Sequence, residues 1–255
     1  MSPIRIMDAT DPVTWGPAID EAVRALARGD IVVLPTDTVY GIGADAFTPD
    51  AVQALLDAKG RGRELPPPVL IADVRTLDGL ARDVSDTARA LAQAFWPGGL
   101  TLILPAQPSL VWDLGDTRGT VALRVPDHPA ALALLRRTGP LAVSSANVTG
   151  NPAGVTVAEA AAQLGTSVSV YLDGGRTPGQ VPSTIVDATG TVARVVRTGA
   201  ISLEALRAVA RVEGPRVPAP TAPYALADTP AASAPDASTA GPATEGARAR
   251  GDQHG

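Results

Sequence analysis

The sequence has 255 residues, of which 45% are hydrophobic and 18% charged, a balance typical of a globular protein with a sizeable core. It contains no cysteine and only two histidines, His128 and His254, which excludes disulfides, thiol catalysis and thiolate zinc sites and leaves little material for a His-rich metal site or a Ser-His-Asp triad. The formal net charge of -5 and the aromatic content of 3% argue against a general binder of nucleic-acid backbones and against a base-stacking surface.

A change in composition near Glu213 divides the chain. Residues 1–213 alternate apolar runs with capped helical patterns, whereas residues 214–255 are mostly Pro, Ala, Ser, Thr and Gly. We expect a folded domain and then a disordered tail, because the second segment cannot bury enough apolar surface to offset its conformational entropy. The N-terminus lacks an apolar stretch of the signal-peptide type, and no apolar run is long enough to cross a bilayer, so we expect a cytoplasmic protein without a membrane-spanning segment.

The apolar periodicity predicts short strands interleaved with helices. In chain order we predict helix Pro12–Arg28, strand Ile31–Leu34, a helix capped by Thr48 that ends at Gly60, strand Val69–Ala72, a helix capped by Ser85 that ends at Trp96, strands Leu100–Leu104 and Thr120–Arg124, helix Pro129–Arg137, strand Leu141–Ser144, a helix with a Thr156–Glu159 capping box that ends at Gly165, strands Val168–Leu172, Thr184–Val186 and Thr191–Val196, and a helix capped by Ser202 that extends to Ala210. The last two strands are expected to pair as a hairpin. The alternation indicates one α/β domain around a mostly buried, mixed sheet with flanking helices.

Two polar loops directly follow predicted strands, where open α/β sheets place their ligands. Residues 35–43, PTDTVYGIG, carry hydroxyls and glycines that suit either a small polar ligand or an ordinary turn. Residues 144–152, SSANVTGNP, carry compact donors and acceptors that suit adenine, ribose or phosphate, although such loops are common in all proteins. The local sequence leaves both interpretations of each loop open.

A basic cluster follows the second predicted helix. Lys59, Arg61 and Arg63 are separated by single glycines, and these cations suit an anionic ligand such as a triphosphate. The alternative is that Lys59 complements the dipole at the end of its helix and that the three side chains face water.

Further polar residues lie on predicted strands. Thr120 and Arg124 are four residues apart on one strand and therefore share a face, and Ser183 and Arg197 accompany later strands. An arginine so close to a core strand needs an anionic partner, which is either a ligand or a protein carboxylate such as that of Asp187.

Together these segments resemble the YrdC-like family of L-threonylcarbamoyladenylate synthases, over about Ile19–Ile201. The resemblance rests on blocks that occur in the family's order: PTDTVYGIGADA, AKGR, FWPGGLTLIL, TVALRVPDHP, VSSANVTGNP, LDGG, PSTIVD and VVRTGAIS. It implies a twisted open α/β fold with a positively lined concave face. It also implies that ATP, L-threonine and bicarbonate react to give threonylcarbamoyl-AMP and pyrophosphate, for the N6-threonylcarbamoyladenosine modification of tRNA.

The resemblance also implies roles for individual residues. The residues expected to contact ATP are Lys59, Arg61, Thr120, Ser145, Asn147 and Arg197, with Lys59 and Arg61 as the catalytic cations. Those expected to hold threonine or its carbamate are Thr36, Arg124 and Ser183. Mg²⁺ would accompany the triphosphate without a dedicated metal site, and separate tRNA threonylcarbamoyl-transferase proteins would consume the product.

The sequence departs from the family pattern in three places. After Arg61 the family usually has Pro, whereas this chain has Gly62 followed by Arg63, so Arg63 is a further candidate for ATP contact. Pro182 stands where relatives commonly have Glu. Longer relatives carry a second C-terminal domain, and residues 214–255 are too short for one, so the chain resembles the single-domain form.

Two other functions are compatible with parts of the sequence. Residues 41–46, GIGADA, match a dinucleotide-binding pattern, but the next helix is predicted only at Pro49, whereas a Rossmann unit opens its helix at the glycines. A non-catalytic module that binds double-stranded RNA is the second alternative, which the basic cluster permits and the net charge of -5 disfavours. Weak RNA binding beside the catalytic activity is left open on the same grounds.

Overall fold

The computed structural model describes residues 4–178 and 181–215. Apart from Gly214 and Pro215, the predicted disordered tail lies outside the described residues. No helix in the described part of the chain is long and apolar enough to cross a membrane.

One mixed sheet organises the molecule, as the alternation of elements predicts. Its eleven strands lie in the order β1-β8-β2-β3-β7-β4-β6-β5-β9-β10-β11. The strands are β1 Ile6–Asp8, β2 Val32–Leu34, β3 Gly41–Asp45, β4 Val69–Leu70, β5 Leu100–Pro105, β6 Thr120–Arg124, β7 Leu141–Ser145, β8 Val170–Asp173, β9 Thr184–Asp187, β10 Ala193–Arg197 and β11 Val212–Glu213. The predicted hairpin is confirmed, since β9 and β10 pair antiparallel.

In the described part of the chain, seven α-helices flank the sheet. They are α1 Gly16–Ala27, α2 Pro49–Lys59, α3 Leu77–Leu80, α4 Asp86–Phe95, α5 Pro129–Thr138, α6 Val157–Leu164 and α7 Leu203–Val209. The predicted caps of α4 and α7 are confirmed, because the hydroxyls of Ser85 and Ser202 accept hydrogen bonds from the third backbone N–H beyond them.

Two predicted caps differ in detail from the structure. The Thr156 hydroxyl accepts from the Glu159 N–H, but the Glu159 carboxylate accepts from Val155 N and not from Thr156 N, so the reciprocal half of the capping box is displaced by one residue. Thr48 occupies the N-cap position of α2 without a side-chain capping bond, because its hydroxyl donates to Asp45 Oδ2 at 2.8 Å.

The sheet is buried on both faces, as predicted. Val32 and Leu34 pack in the cluster that contains apolar residues of α1 and α5, whereas Val33 packs in the cluster that contains those of α2 and α6. Successive side chains of a strand point to opposite faces, so β2 is covered by two pairs of helices.

Strand β3 was not predicted from the sequence, which indicated a loop there. Gly41 pairs with Leu34 of β2 and with Ser145 of β7. A Cβ atom at Gly41 would lie 2.6 Å from Val143 Cγ1, so glycine allows the strand to lie against this side chain. The pairing of β3 brings the loop after β2 beside the end of β7, and thereby joins the two polar loops of the sequence.

Candidate functional site

A cavity of about 630 Å³ lies against the centre of the sheet. Of the ten site residues predicted from the sequence, seven line it: Thr36, Arg61, Thr120, Arg124, Ser145, Ser183 and Arg197. They come from segments that are separated along the chain by up to 161 residues, between Thr36 and Arg197 (197 − 36). The other three predicted residues, Lys59, Arg63 and Asn147, do not line this cavity.

The loop after β2 forms an ordered turn at the cavity wall. The Thr36 hydroxyl donates to Val39 O at 2.6 Å and accepts from the Thr38 N–H at 3.1 Å. The turn interpretation of this loop is therefore confirmed, and the same turn presents Thr36 and Thr38 to the cavity.

Arg124, at the end of β6, is buried and bound on three sides. Its Nε donates to Gly98 O at 2.9 Å, its Nη1 to Thr38 Oγ1 at 3.0 Å and its Nη2 to Asp37 Oδ1 at 2.6 Å. The protein carboxylate that pairs with Arg124 is thus Asp37 and not Asp187, the example given by the sequence. Burial lowers the pKa of Arg124 and the charge of Asp37 opposes this shift, so a charged guanidinium is held rigidly at the cavity.

Ser183 and Arg197 form a second polar cluster in the cavity lining. The Arg197 guanidinium donates to Ser183 O at 2.8 Å and to Ser183 Oγ at 3.1 Å. The Ser183 hydroxyl also shares a hydrogen bond of 2.8 Å with Thr101 Oγ1. Burial of the guanidinium and the charges of Arg124 and Arg61 lower the pKa of Arg197, which places three cations around one space.

Arg61 reaches the cavity from the end of α2. Its Nε donates to Leu65 O at 2.6 Å and its Nη1 to Ser144 Oγ at 3.2 Å. Burial lowers the pKa of Arg61, but an arginine stays protonated in proteins. The side chain therefore contributes a permanent positive charge beside the loop after β7.

Lys59 lies behind the cavity wall. Only 1% of the residue is exposed, and its Nζ donates to Ser145 O at 2.5 Å and to Asn147 O at 2.7 Å. Burial, together with the charge of Arg61, lowers the pKa of Lys59 to about 8. The alternative of a water-exposed lysine at a helix end is therefore wrong, and its predicted contact with ATP stays a prediction.

Asn147 is also buried behind the wall. Its amide Nδ2 donates to Val148 O at 2.9 Å and to Asn151 O at 2.8 Å. These bonds close the turn after β7 on itself, so the side chain shapes the turn from within.

Arg63 lies outside the cavity, where its guanidinium forms an ion pair with Asp113 at 2.6 Å. Both side chains are 45% exposed. The Arg63 carbonyl accepts from Asp116 N at 2.8 Å, so the altered loop is joined to residues 113–116. A Cβ atom at Gly62 would lie 2.1 Å from Glu64 Oε2, which places the Glu64 carboxylate where the proline ring of the family pattern would come.

Several cavity residues were not found from the sequence. They include Thr38, Tyr40, Glu64, Thr101, Asp116, Thr117 and Arg118. Thr38 and Tyr40 belong to the block PTDTVYGIG and could have been included on its polarity. Residues 116–118 lie in the long segment between β5 and β6, which has no periodicity in the sequence and gives no signal of its position.

Tyr40 binds the LDGG block, residues 172–175, to the cavity wall. Its hydroxyl donates to Gly175 O at 2.5 Å and accepts from Gly174 N at 3.1 Å. Burial and the nearby charge of Asp173 raise the pKa of Tyr40, so the phenol stays neutral and joins the end of β8 to the cavity wall.

Comparisons with known proteins identify the family of this chain. The family model Sua5_yciO_yrdC, described as telomere recombination, matches residues 24–199. A Mycobacterium tuberculosis protein with a provisional assignment as threonylcarbamoyl-AMP synthase is 52% identical over 206 residues, which cover 81% of this chain and 95% of the relative. The threonylcarbamoyl-AMP synthase of Bacillus subtilis is 40% identical over 207 residues, or 80% of this chain and 60% of the relative.

A solved structure shows the same fold. The structure of Pyrococcus abyssi Sua5 complexed with L-threonine is similar with a TM-score of 0.75 and 33% identity, over 83% of this chain and 63% of that one. The chain thus spans less than two thirds of the Bacillus and Pyrococcus proteins and nearly all of the mycobacterial one. The family model and the mycobacterial relative each cover more than two thirds of this sequence, and the chain therefore belongs to the Sua5/YciO/YrdC family.

Proposed function

We propose that the cavity forms threonylcarbamoyl-AMP and pyrophosphate from ATP, L-threonine and bicarbonate. The observation that carries the proposal is the convergence of Arg61, Arg124 and Arg197 on one cavity of about 630 Å³. Guanidinium groups recognise phosphate and carboxylate oxygens; ATP and bicarbonate are anions, and threonine carries a carboxylate. The Bacillus subtilis and Pyrococcus abyssi relatives are named threonylcarbamoyl-AMP synthase, which describes the same reaction.

The reaction needs no nucleophile from the protein. The amine of threonine adds to the carbon of bicarbonate with loss of water and leaves a carbamate. A carbamate oxygen then attacks the α-phosphorus of ATP. The bond between that phosphorus and the oxygen bridging the α- and β-phosphates breaks, and pyrophosphate leaves with the electron pair. Holding two anions in line and neutralising the charge that develops on phosphate oxygens are the contributions required of the side chains.

The family resemblance divides the cavity residues into two groups. We assign Arg61, Thr120, Ser145 and Arg197 to ATP. We assign Thr36, Arg124 and Ser183 to threonine and its carbamate, because the Thr36 turn and Arg124 are bound to one another through Thr38. Lys59, Arg63 and Asn147 do not line the cavity, and their contact with ATP stays a prediction.

The carboxylates of Glu64 and Asp116 also line the cavity. Mg²⁺ is commonly held by one or two carboxylates together with substrate phosphates, so this donor pair fits a metal ion that arrives with the triphosphate. Such an ion would neutralise phosphate charge. Among residues 4–178 and 181–215, no group of three or more His, Asp or Glu side chains could hold a metal ion by itself.

The product is a mixed anhydride, which reacts readily with nucleophiles. We therefore propose that a separate transferase delivers the threonylcarbamoyl group to tRNA, and that this protein alone leaves tRNA unmodified. The non-catalytic RNA-binding alternative is not favoured, because in the basic cluster that permitted it Lys59 is buried, Arg61 lines the cavity and Arg63 is paired with Asp113.

Pyrophosphate release tests the proposal directly. The purified protein is incubated with ATP, L-threonine, bicarbonate and Mg²⁺, and each component is omitted in turn. We expect release only in the complete mixture, with loss of the signal when threonine or bicarbonate is omitted. Equal release with and without threonine would contradict the assignment and indicate simple ATP hydrolysis.

A further inference from the structure

Lys59 holds the turn after β7 at three points. Its Nζ donates to Ser145 O and Asn147 O, and its own carbonyl accepts from the Thr149 N–H at 2.8 Å. All three bonds join the last residue of α2 to a segment more than 80 residues later. The opposite side of the turn is bound to the loop after β2, because Ala146 N donates to Tyr40 O at 2.8 Å.

Lys59 is unusual in the composition of the chain. Lysine and arginine total 21, and Lys59 is the only lysine, so the other 20 are arginine (21 − 1). An ammonium is compact and carries three rotatable donors, whereas a guanidinium is a larger planar fork. Two main-chain carbonyls that converge on one point inside the protein are matched by the first group and not by the second.

The ammonium faces the turn, and the turn faces the cavity. Lys59 is buried and does not line the cavity, whereas Ser145, whose carbonyl it binds, does. Without the ammonium, two carbonyl oxygens would lose their partner in a buried place, and the turn would have to move to reach other donors.

We infer that Lys59 is a positioning residue that acts on the reaction through the turn of residues 145–149 and makes no direct contact with phosphate. The inference rests on the proposed function, because it takes this turn as part of the ATP site. It differs from the direct contact with ATP that the family resemblance implies for Lys59. Positioning and direct contact predict different coupling between substitutions of Lys59 and Ser145 in their effects on kcat/KM.

A double-mutant cycle separates the two roles. Lys59→Met removes the ammonium and Ser145→Ala removes the cavity hydroxyl, and kcat/KM for ATP is measured for both variants and for their combination. We expect losses of about thirtyfold and about tenfold for the single variants. If Lys59 acts through the turn, the double variant stays within about threefold of Lys59→Met. A product of the two losses, about three hundredfold, indicates independent contacts and would overturn the inference.

A control cycle and a second substitution keep the outcome decisive. Arg197→Met combined with Ser145→Ala should give multiplied losses, because Arg197 is hydrogen-bonded to Ser183 and lies outside the turn of residues 145–149. If Lys59→Met does not stay folded at the assay temperature, Lys59→Arg replaces it. Arginine is a good phosphate ligand, so nearly normal kcat/KM in Lys59→Arg would overturn the inference, and a loss of more than about fivefold supports it.

Amide hydrogen exchange of the ligand-free protein tests the inference without any turnover. Exchange at residues 145–151 should be faster in Lys59→Met than in the wild type, and unchanged exchange would overturn the role in positioning. If the wild type released no pyrophosphate while the exchange effect was present, the proposed function would fail and the contact between Lys59 and the turn would stand.

Discussion

Arg124 illustrates how single residues acquire their role in this site. Its guanidinium binds Gly98 O, Thr38 Oγ1 and Asp37 Oδ1, and only 8% of the side chain is exposed. Breaking a buried pair leaves an uncompensated charge, which is strongly destabilising. Arg124 therefore serves both the stability of the turn after β2 and the charge of the cavity, and the two effects will be mixed in any substitution of this residue.

Arg63 offers a cleaner test at the scale of the residue. The Arg63–Asp113 pair is exposed, and exposed ion pairs contribute little to stability. We expect Arg63→Ala to lower kcat/KM by no more than about threefold, whereas Arg61→Ala, measured beside it, should lose roughly thirtyfold or more because Arg61 lines the cavity. Comparable losses of kcat/KM in the two variants would instead support the ATP contact that the sequence predicts for Arg63.

At the scale of the element, strand β3 places the two polar loops side by side. It pairs with β2 on one edge and with β7 on the other, and it contains Gly41 and Gly43. Both glycines lie against Leu34 and Val143, with a Cβ atom at Gly43 falling 3.2 Å from Leu34 Cδ2. The close packing of the strand against these side chains accounts for glycine at positions where the sequence indicates a loop.

Gly41→Ala tests this packing. The added methyl group would meet Val143 Cγ1 at 2.6 Å, and overpacking of this kind costs about 1–3 kcal/mol. We expect a corresponding fall in the free energy of unfolding, measured by urea denaturation. In a Val143→Ala background the same substitution should cost less than about 0.5 kcal/mol, because the clashing methyl is gone.

A matched control lies in a helix. Gly79 in α3 has no atom within 4 Å of its added Cβ, so Gly79→Ala should leave the stability unchanged or raise it by up to about 1 kcal/mol. An equal loss for Gly41→Ala with and without Val143 would show that contact with this side chain is not the reason for the glycine.

At the scale of the whole molecule, the burial of the only lysine couples stability to pH. Burial lowers the pKa of Lys59 from 10.5 to about 8 in the folded protein. Between these values the unfolded chain binds more protons than the folded one, so the free energy of unfolding increases as the pH rises through this window. Below pH 8 both states are protonated, and the cost of burying the charge is fully present.

We expect the free energy of unfolding of the wild type, relative to that of Lys59→Met, to increase from pH 8 to pH 10.5. The increase is at most about 1.4 kcal/mol per pH unit. Other titrating groups are common to both proteins and cancel in the difference. Because Lys59 is the only lysine, its pKa can also be read from one NMR resonance of a protein labelled at lysine. A constant difference, with a pKa near 10.5, would contradict the buried charge.

The amino-acid sequence by itself determined most of the elements, the mixed α/β class and several residues of the cavity. Helix caps, apolar periodicity and turn residues act over a few positions, so α2, α4, α6 and β5 to β7 begin and end close to the predicted residues. The polar blocks also identified Thr36, Arg61, Arg124 and Ser183. Hydroxyls and cations at strand ends can be recognised in the sequence without knowing which strands are neighbours.

Only the tertiary structure decided which of these groups meet. The order of the strands brings Asp37 to Arg124 and buries Lys59 against the carbonyls after β7, and neither contact follows from spacing along the chain. Arg63 belongs to the same basic cluster in the sequence, but the path of its loop turns its side chain away from the cavity and toward Asp113. Local preferences depend on neighbours in the sequence, whereas burial, ion pairing and access to the cavity depend on segments that are distant in the sequence and adjacent in space.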